Sequence, residues 1–329
     1  MISNKQHGFS LIELMVAMTI GIVLIGGAIY VYDEARSTLN VNDTLARMQE
    51  NARWALDLLE PDIRLSGYWG RHTNAVAIDG RATGPAPLTT AVNPNCGTTW
   101  AIDIETSLAA SNNVDPALPC IASADYQTGT DTLQLRHASG RIFATTNLED
   151  GRIYVRTHEA GQGSLFAGAA EPAIVDGQNN ALIAHAYYIR PYSIPAPSPV
   201  PDNWIVRPSL RRQGLTVVSD APAMVDQEVI SGIEDLQVQF GIDRNGDGSV
   251  DRYVNPGNAV LLPNPPRIRA VRIWLRMRAD TPEPGFNDSR TYTYADQEFT
   301  PMDEDANFRR LLVSRTIFLR NESILEGAL

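Results

Sequence analysis

Positive charge is in short supply here. The chain sets 27 Lys and Arg against 38 Asp and Glu, a net charge of −11 over 329 residues, which argues against a general nucleic-acid binder. Cysteine is scarcer still. With only Cys96 and Cys120, no CxxC and no four-cysteine zinc site can form. The five histidines (His7, His72, His137, His158 and His185) show no HExxH or other metal spacing, and no G-x-S-x-G elbow, Walker loop or dinucleotide fingerprint occurs. Each histidine therefore reads as a surface or packing residue, no catalytic residue is assigned, and the chain reads as something other than an enzyme. An ordinary secretory signal ends in a small-x-small cleavage site after its apolar stretch, whereas here the plausible processing point lies before that stretch. No proline interrupts residues 9–60.

What is present starts with residues 8–32, GFSLIELMVAMTIGIVLIGGAIYVY. A short polar leader with one lysine ends at Gly8, Phe9 follows, and the apolar run contains a single acid, Glu13. Residues 14–32 run 19 positions without a charge, about 28 Å of helix, enough to nearly span a hydrocarbon core of about 30 Å. A carboxylate beside such a segment costs several kcal/mol unless paired, so it marks function by default. The plausible processing point lies before the apolar segment, which is then retained.

Helical spacing continues beyond the membrane segment. Leu39, Leu45, Met48, Ala52, Ala55, Leu56, Leu59 and Ile63 recur at steps of mostly three and four, with Arg47, Glu50, Arg53 and Asp57 between them. One long helix over residues 9–60 is expected, crossing a membrane at about 14–32, with Pro61 ending or kinking it. Past Gly70 the texture changes to short alternating runs. Segments 132–137, 152–157, 181–189, 236–242, 271–277 and 312–319 read as strands. Residues 70–130, rich in Gly, Asn, Thr and Pro, read as a loop-rich insertion, and the six prolines between Pro191 and Pro208 mark a loop or sheet edge. The cysteine pair falls beyond the anchor, where an oxidising compartment is expected, and one Cys96–Cys120 disulfide is the economical reading. Closing a loop of roughly 25 residues is worth about 3 kcal/mol in the loop-entropy model.

One loop carries metal-type spacing. In residues 243–251, DRNGDGSVD, oxygen-bearing side chains stand at positions 1, 3, 5 and 9, with Gly at 6 and an apolar residue at 8, as in the first part of a calcium loop. Asp243, Asn245 and Asp247 would ligate through side chains, Ser249 through its carbonyl, and Asp251 directly or through water. Position 12, usually a bidentate Glu, is Val254. The competing reading is a plain turn, since Asn-Gly and Asp-Gly are strong hairpin signals. Residues 267–278, RIRAVRIWLRMR, place Val271, Ile273, Leu275 and Met277 on one strand face, with Arg272, Trp274, Arg276 and Arg278 on the other. Arg with Trp can grip DNA. A solvated face paired with nearby acids, or with a neighbouring subunit, is the better reading in so acidic a chain.

The G-F-S-L-I-E-L string resembles the type III signal of prepilins and pseudopilins. That resemblance implies cleavage between Gly8 and Phe9 by a prepilin peptidase, methylation of the new N-terminal Phe9, and an assembly role for Glu13. Residues 50–70, 233–243 with the loop after them, 271–278 and 309–321 are similar to PilW-type minor pilins. The implied fold is α+β and type IV pilin-like: a leader at 1–8, a long helix at 9–60, and a mainly antiparallel β-rich head at 61–329. The implied function is pilus assembly. The chain would prime polymerisation and sit at the tip with other minor and major pilins and a PilY-type adhesin, in contact with the inner-membrane assembly platform, and so serve twitching motility and adhesion. Its head would lie in the periplasm before assembly and at the cell surface afterwards. Two other readings stay open: a J-type pseudopilin of type II secretion, and a signal-anchored periplasmic calcium protein that never polymerises.

Overall fold

The computed structural model describes residues 10–97, 99–116, 118–168, 170–194, 205–261 and 267–323. Gly8 and Phe9, and with them the expected processing point, lie outside the described residues. The chain divides into two compact units, Met1–Arg47 and Met48–Leu329.

Helix α1 spans Leu11–Leu65 and enters both units. In the first unit its apolar side chains, from Leu11 to Tyr32, are exposed in the isolated chain. Among the described residues this one helix is long and apolar enough to cross a membrane. In the second unit the helix buries Met48, Ala52, Ala55, Leu56, Leu59 and Ile63, the i, i+4, i+7 stripe seen in the sequence.

The expected end at Glu60 needs correcting. The helix continues through Pro61 to Leu65. Pro61 forfeits one intrahelical hydrogen bond, but the fully buried Leu59 and Ile63 flank it. Each such side chain contributes about 1.5–3 kcal/mol of burial. Arg315 adds a tether from the sheet, 2.7 Å from Asp57 Oδ1 and 2.9 Å from Glu60 Oε2. Packing on both sides of the proline outweighs its local preference.

Among the described residues the head holds an eight-stranded sheet, a four-stranded sheet and a two-stranded hairpin. The first contains β1 (Ile78–Asp79), β2 (Leu108–Ser111), β3 (Thr132–Phe143), β4 (Ile153–Thr157), β5 (Gly163–Ala167), β6 (Gln178–Arg190), β7 (Ser209–Val218) and β8 (Ala221–Ser231). Its order is β1-β5-β4-β6-β3-β2, with β7 joining β6 to β8, and every pairing except β1 with β5 is antiparallel. The second sheet contains β9 (Ile233–Asp243), β10 (Arg252–Val254) and β11 (Arg267–Arg278). A hairpin of β12 (Tyr292–Tyr294) and β13 (Gln297–Phe299) follows, and β14 (Arg310–Ser323) completes the antiparallel order β10-β9-β11-β14.

All six segments read as strands are strands, several of them longer than their alternation suggested. On β11 the Val271, Ile273, Leu275 and Met277 face is buried. It forms one core with the α1 stripe, Leu236, Val238, Phe240 and Ile242 of β9, and Leu133 and Leu135 of β3. The β7–β8 hairpin was not foreseen. Its two turn residues, Ser219 and Asp220, both adopt left-handed φ values of 50° and 57°, the geometry of a tight hairpin turn normally signalled by Asn-Gly. Gly151 packs against this turn so closely that a Cβ would lie 2.4 Å from the Asp220 carbonyl.

Residues 70–130 form the loop-rich layer expected of them, with two short strands and single turns of 3₁₀ helix. Cys96 and Cys120 are joined by a disulfide there. A second anchor is Arg136, buried on β3. It donates to the Trp100 and Thr106 carbonyls at 2.7 Å each and stacks 4.3 Å over the Trp100 ring.

Candidate functional site

The membrane-proximal site is built at the start of α1. The Ser10 N–H donates to Glu13 Oε2 at 2.9 Å, and the Glu13 N–H donates to Ser10 Oγ at 3.2 Å. This reciprocal pair is a capping box, which satisfies two of the four N–H groups that a helix start leaves open. The S-x-x-E spacing was present in the sequence, so Glu13 has a capping duty in the isolated chain besides any intersubunit one.

The 243–251 loop starts on the last residue of β9 and reaches β10 across the eight residues 244–251, longer than a tight turn. Asp243 Oδ1 accepts the Gly246 N–H at 2.7 Å, and Oδ2 accepts the Gly248 N–H at 2.9 Å. Arg269 pairs with the same Oδ2 at 3.1 Å. Burial works against ionisation of Asp243, but the Gly248 and Gly246 N–H groups and the Arg269 guanidinium hold its carboxyl below the usual range. Ser249 does the same for Asp247, through its hydroxyl and then its N–H.

The Asn245 amide donates to Asp247 Oδ2 at 3.0 Å and to Asp251 Oδ1 at 3.4 Å. Asn245 therefore links Asp247 and Asp251, which ties together three of the four expected side-chain ligands, while Asp243 is bonded to Gly246, Gly248 and Arg269. Val254 is a buried strand residue and supplies no oxygen. Among the described residues, no group of three or more Asp, Glu, His or Cys side chains is placed to hold a metal ion.

The arginine face of β11 is not a solvated stripe. Arg276 and Arg310 are buried and share Glu234, at 2.6 and 2.7 Å. The β12–β13 hairpin covers them: Arg276 lies 3.6 Å over the Phe299 ring and donates to the Tyr294 hydroxyl. Arg272 stacks 3.6 Å over Tyr253, and Arg278 pairs with Asp305 at 3.5 Å. Occupied in this way, these guanidinium groups make no nucleic-acid surface.

Sequence reasoning missed the most concentrated ionisable group of the head. Asp62, in the last turn of α1, takes hydrogen bonds on Oδ2 from His185 Nδ1 and Tyr187 Oη at 2.5 Å each, with His137 Nε2 3.5 Å from Oδ1. Burial pushes Asp62 up, yet the two histidines outweigh it and hold the carboxyl well below its usual range. Burial lowers His185 and raises the Tyr187 phenol. Residues 62, 137, 185 and 187 share no local pattern, so nothing short of the fold brings them together. Asp131 is the opposite case. Burial drives it up to about 7 against N–H bonds from Val238 and Asn113, and Asp296 and Asp235 push the same way.

With this geometry in hand, comparison with known proteins is informative. The prokaryotic N-terminal methylation motif matches residues 3–29, and the family described as type IV pilus-assembly protein W matches residues 187–321. Together these matches support a PilW-like type IV pilin. A type IV-like pilin from Thermus thermophilus shares 11% identity, with 84% of this chain and 98% of that one aligned at a TM-score of 0.36. No curated protein matches. The matched pilin family is a structural component rather than an enzyme, and a pilin of this kind interacts with other pilins and the assembly machinery. The chain's methylation motif and apolar helix mark it as membrane-anchored and pilus-associated.

Proposed function

We propose that this pilin works by priming filament polymerisation and then remaining at the tip, with other minor pilins and a PilY-type adhesin. The observation that carries this reading is the methylation motif joined to an apolar helix that continues into the head. Cleavage after Gly8 frees the amine of Phe9, and Glu13 on a neighbouring subunit supplies the opposite charge. The head offers no constellation for chemistry among its described residues. Arg276 and Arg310, and the Asp62 cluster, are committed to internal bonds. Deleting the gene is expected to abolish surface filaments and twitching while exoprotein secretion continues. Loss of secretion with filaments intact would instead identify a type II secretion pseudopilin.

The 243–251 loop is proposed to take calcium weakly. Supporting this are three oxygen-bearing side chains tied together, the carboxylates of Asp247 and Asp251 separated by the single amide of Asn245. The Asn245 amide would have to turn its oxygen inward, and Arg269 already neutralises part of the charge on Asp243. With no twelfth-position acid, affinity should fall near the extracellular-module range of about 10⁻⁴–10⁻³ M. At 10 mM calcium, about ten times the weak end of that range, the native state gains about 1.4 kcal/mol. The melting temperature of the detergent-solubilised chain should rise by a few degrees over a chelator control. Asp243→Ala with Asp247→Ala should remove the rise. No rise in the unaltered chain leaves a turn closed by its own hydrogen bonds and by Arg269.

A further inference from the structure

Strand β14 ends the four-stranded sheet, and its inner edge pairs with β11 without a break from Arg310↔Arg278 to Phe318↔Ala270. On the outer edge, among the described residues, nothing hydrogen-bonds to the main chain of residues 311–318. The other sheet edges are shorter or covered. β1, β2 and β10 have two, four and three residues. On β8, Pro222 and Met224 are bonded by Asn93 and Pro94.

An open edge is a template for another strand, and proteins normally blunt it with proline, a bulge or cover. Residues 310–318, RLLVSRTIF, contain neither proline nor glycine, and the register breaks only beyond Phe318. One face of this strand is fixed by the core through Leu311, Val313 and Ile317. The other ends in Phe318, which is 62% exposed.

We propose that the outer edge of β14 receives an extended strand from a different filament subunit. Main-chain hydrogen bonds would provide the pairing, and Phe318 with the exposed Arg320 would select an apolar residue near an acid. A second copy of this chain fits poorly. Antiparallel β14–β14 pairing about a twofold axis would set the two 48–65 helix segments antiparallel, whereas both chains enter one membrane through the N-terminal end of that helix. The inference rests on the reading that the chain works inside a filament.

Residue-resolved hydrogen exchange tests it, on the detergent-solubilised full chain and on purified filaments. In the solubilised chain, alternate amides across 311–318 should exchange fast and the intervening, β11-bonded ones slowly. In filaments the fast set should slow by at least tenfold while the slow set stays as it was. A Ser314→Cys variant, with Ser314 exposed on this edge, should cross-link to another subunit species. Three results would overturn the proposal: a fast set unchanged in filaments that contain the chain, a fast set already slow in the solubilised chain, or Ser314→Cys joining only to itself. If the chain is missing from filaments, the assembly reading falls and takes the strand pairing with it.

Discussion

Glu13→Ala is expected to leave the chain membrane-inserted and its head folded, yet to cut its share in surface filaments by more than tenfold. Glu13 precedes 19 uncharged residues, and a carboxylate at that depth is costly unless a cation meets it. Under the proposed function, the cation in a filament is the Phe9 amine created by processing. Breaking a buried charge pair typically costs 3–5 kcal/mol, more than the 1.4 kcal/mol of a tenfold effect. The capping box offers a rival explanation, because alanine also removes the hydrogen bond to the Ser10 N–H. Glu13→Gln separates the two. Glutamine serves in a capping box as well as glutamate does but carries no charge, so it should fail in assembly as alanine does. If Glu13→Gln assembles like the unaltered chain, Glu13 is a helix cap and not an intersubunit partner.

Asp62→Asn should destabilise the head by about 2–3 kcal/mol, since the amide oxygen can still meet the two donors on Oδ2 but the charge that strengthens those buried bonds is gone. For a unit of this size the fall in melting temperature is roughly 5 °C or more. The pH dependence gives a second readout. The Asp62 carboxyl is held below its unfolded value, so its contribution is present above about pH 4 and is lost as pH falls below that. His185 is also lowered, so on acidification through about 6.5 the unfolded chain takes up its proton more readily than the native one. Thermal melts from pH 7 to pH 3 should show a steep acid loss in the unaltered chain and a shallower one below pH 4 in Asp62→Asn. Parallel profiles would mean that the cluster is not linked to folding.

Much of this fold was legible because period and burial coincide. The stripe from Met48 to Ile63 and the alternation on β11 each describe one continuous buried face. Legibility ended where tertiary contact overrode local preference. Pro61 reads as a stop, but Leu59 and Ile63 are buried on either side of it. Ser219 and Asp220 make a two-residue turn without the glycine that would announce one. The β11 arginines looked solvated because the three-residue strands that cover them, β12 and β13, are too short to show a period. The N-terminal site was legible as a motif, whereas the Asp62 cluster draws on α1, β3 and β6, which meet only in the folded head.

Mass spectrometry of the chain recovered from purified surface filaments tests the central claim most directly. The account predicts an N-terminus at N-methylated Phe9, and no assembled chain from a Gly8→Val variant, whose added side chain blocks close approach of the peptidase to the backbone. Filaments carrying the chain with Met1 retained, or surface filaments from which the chain is absent, would contradict it.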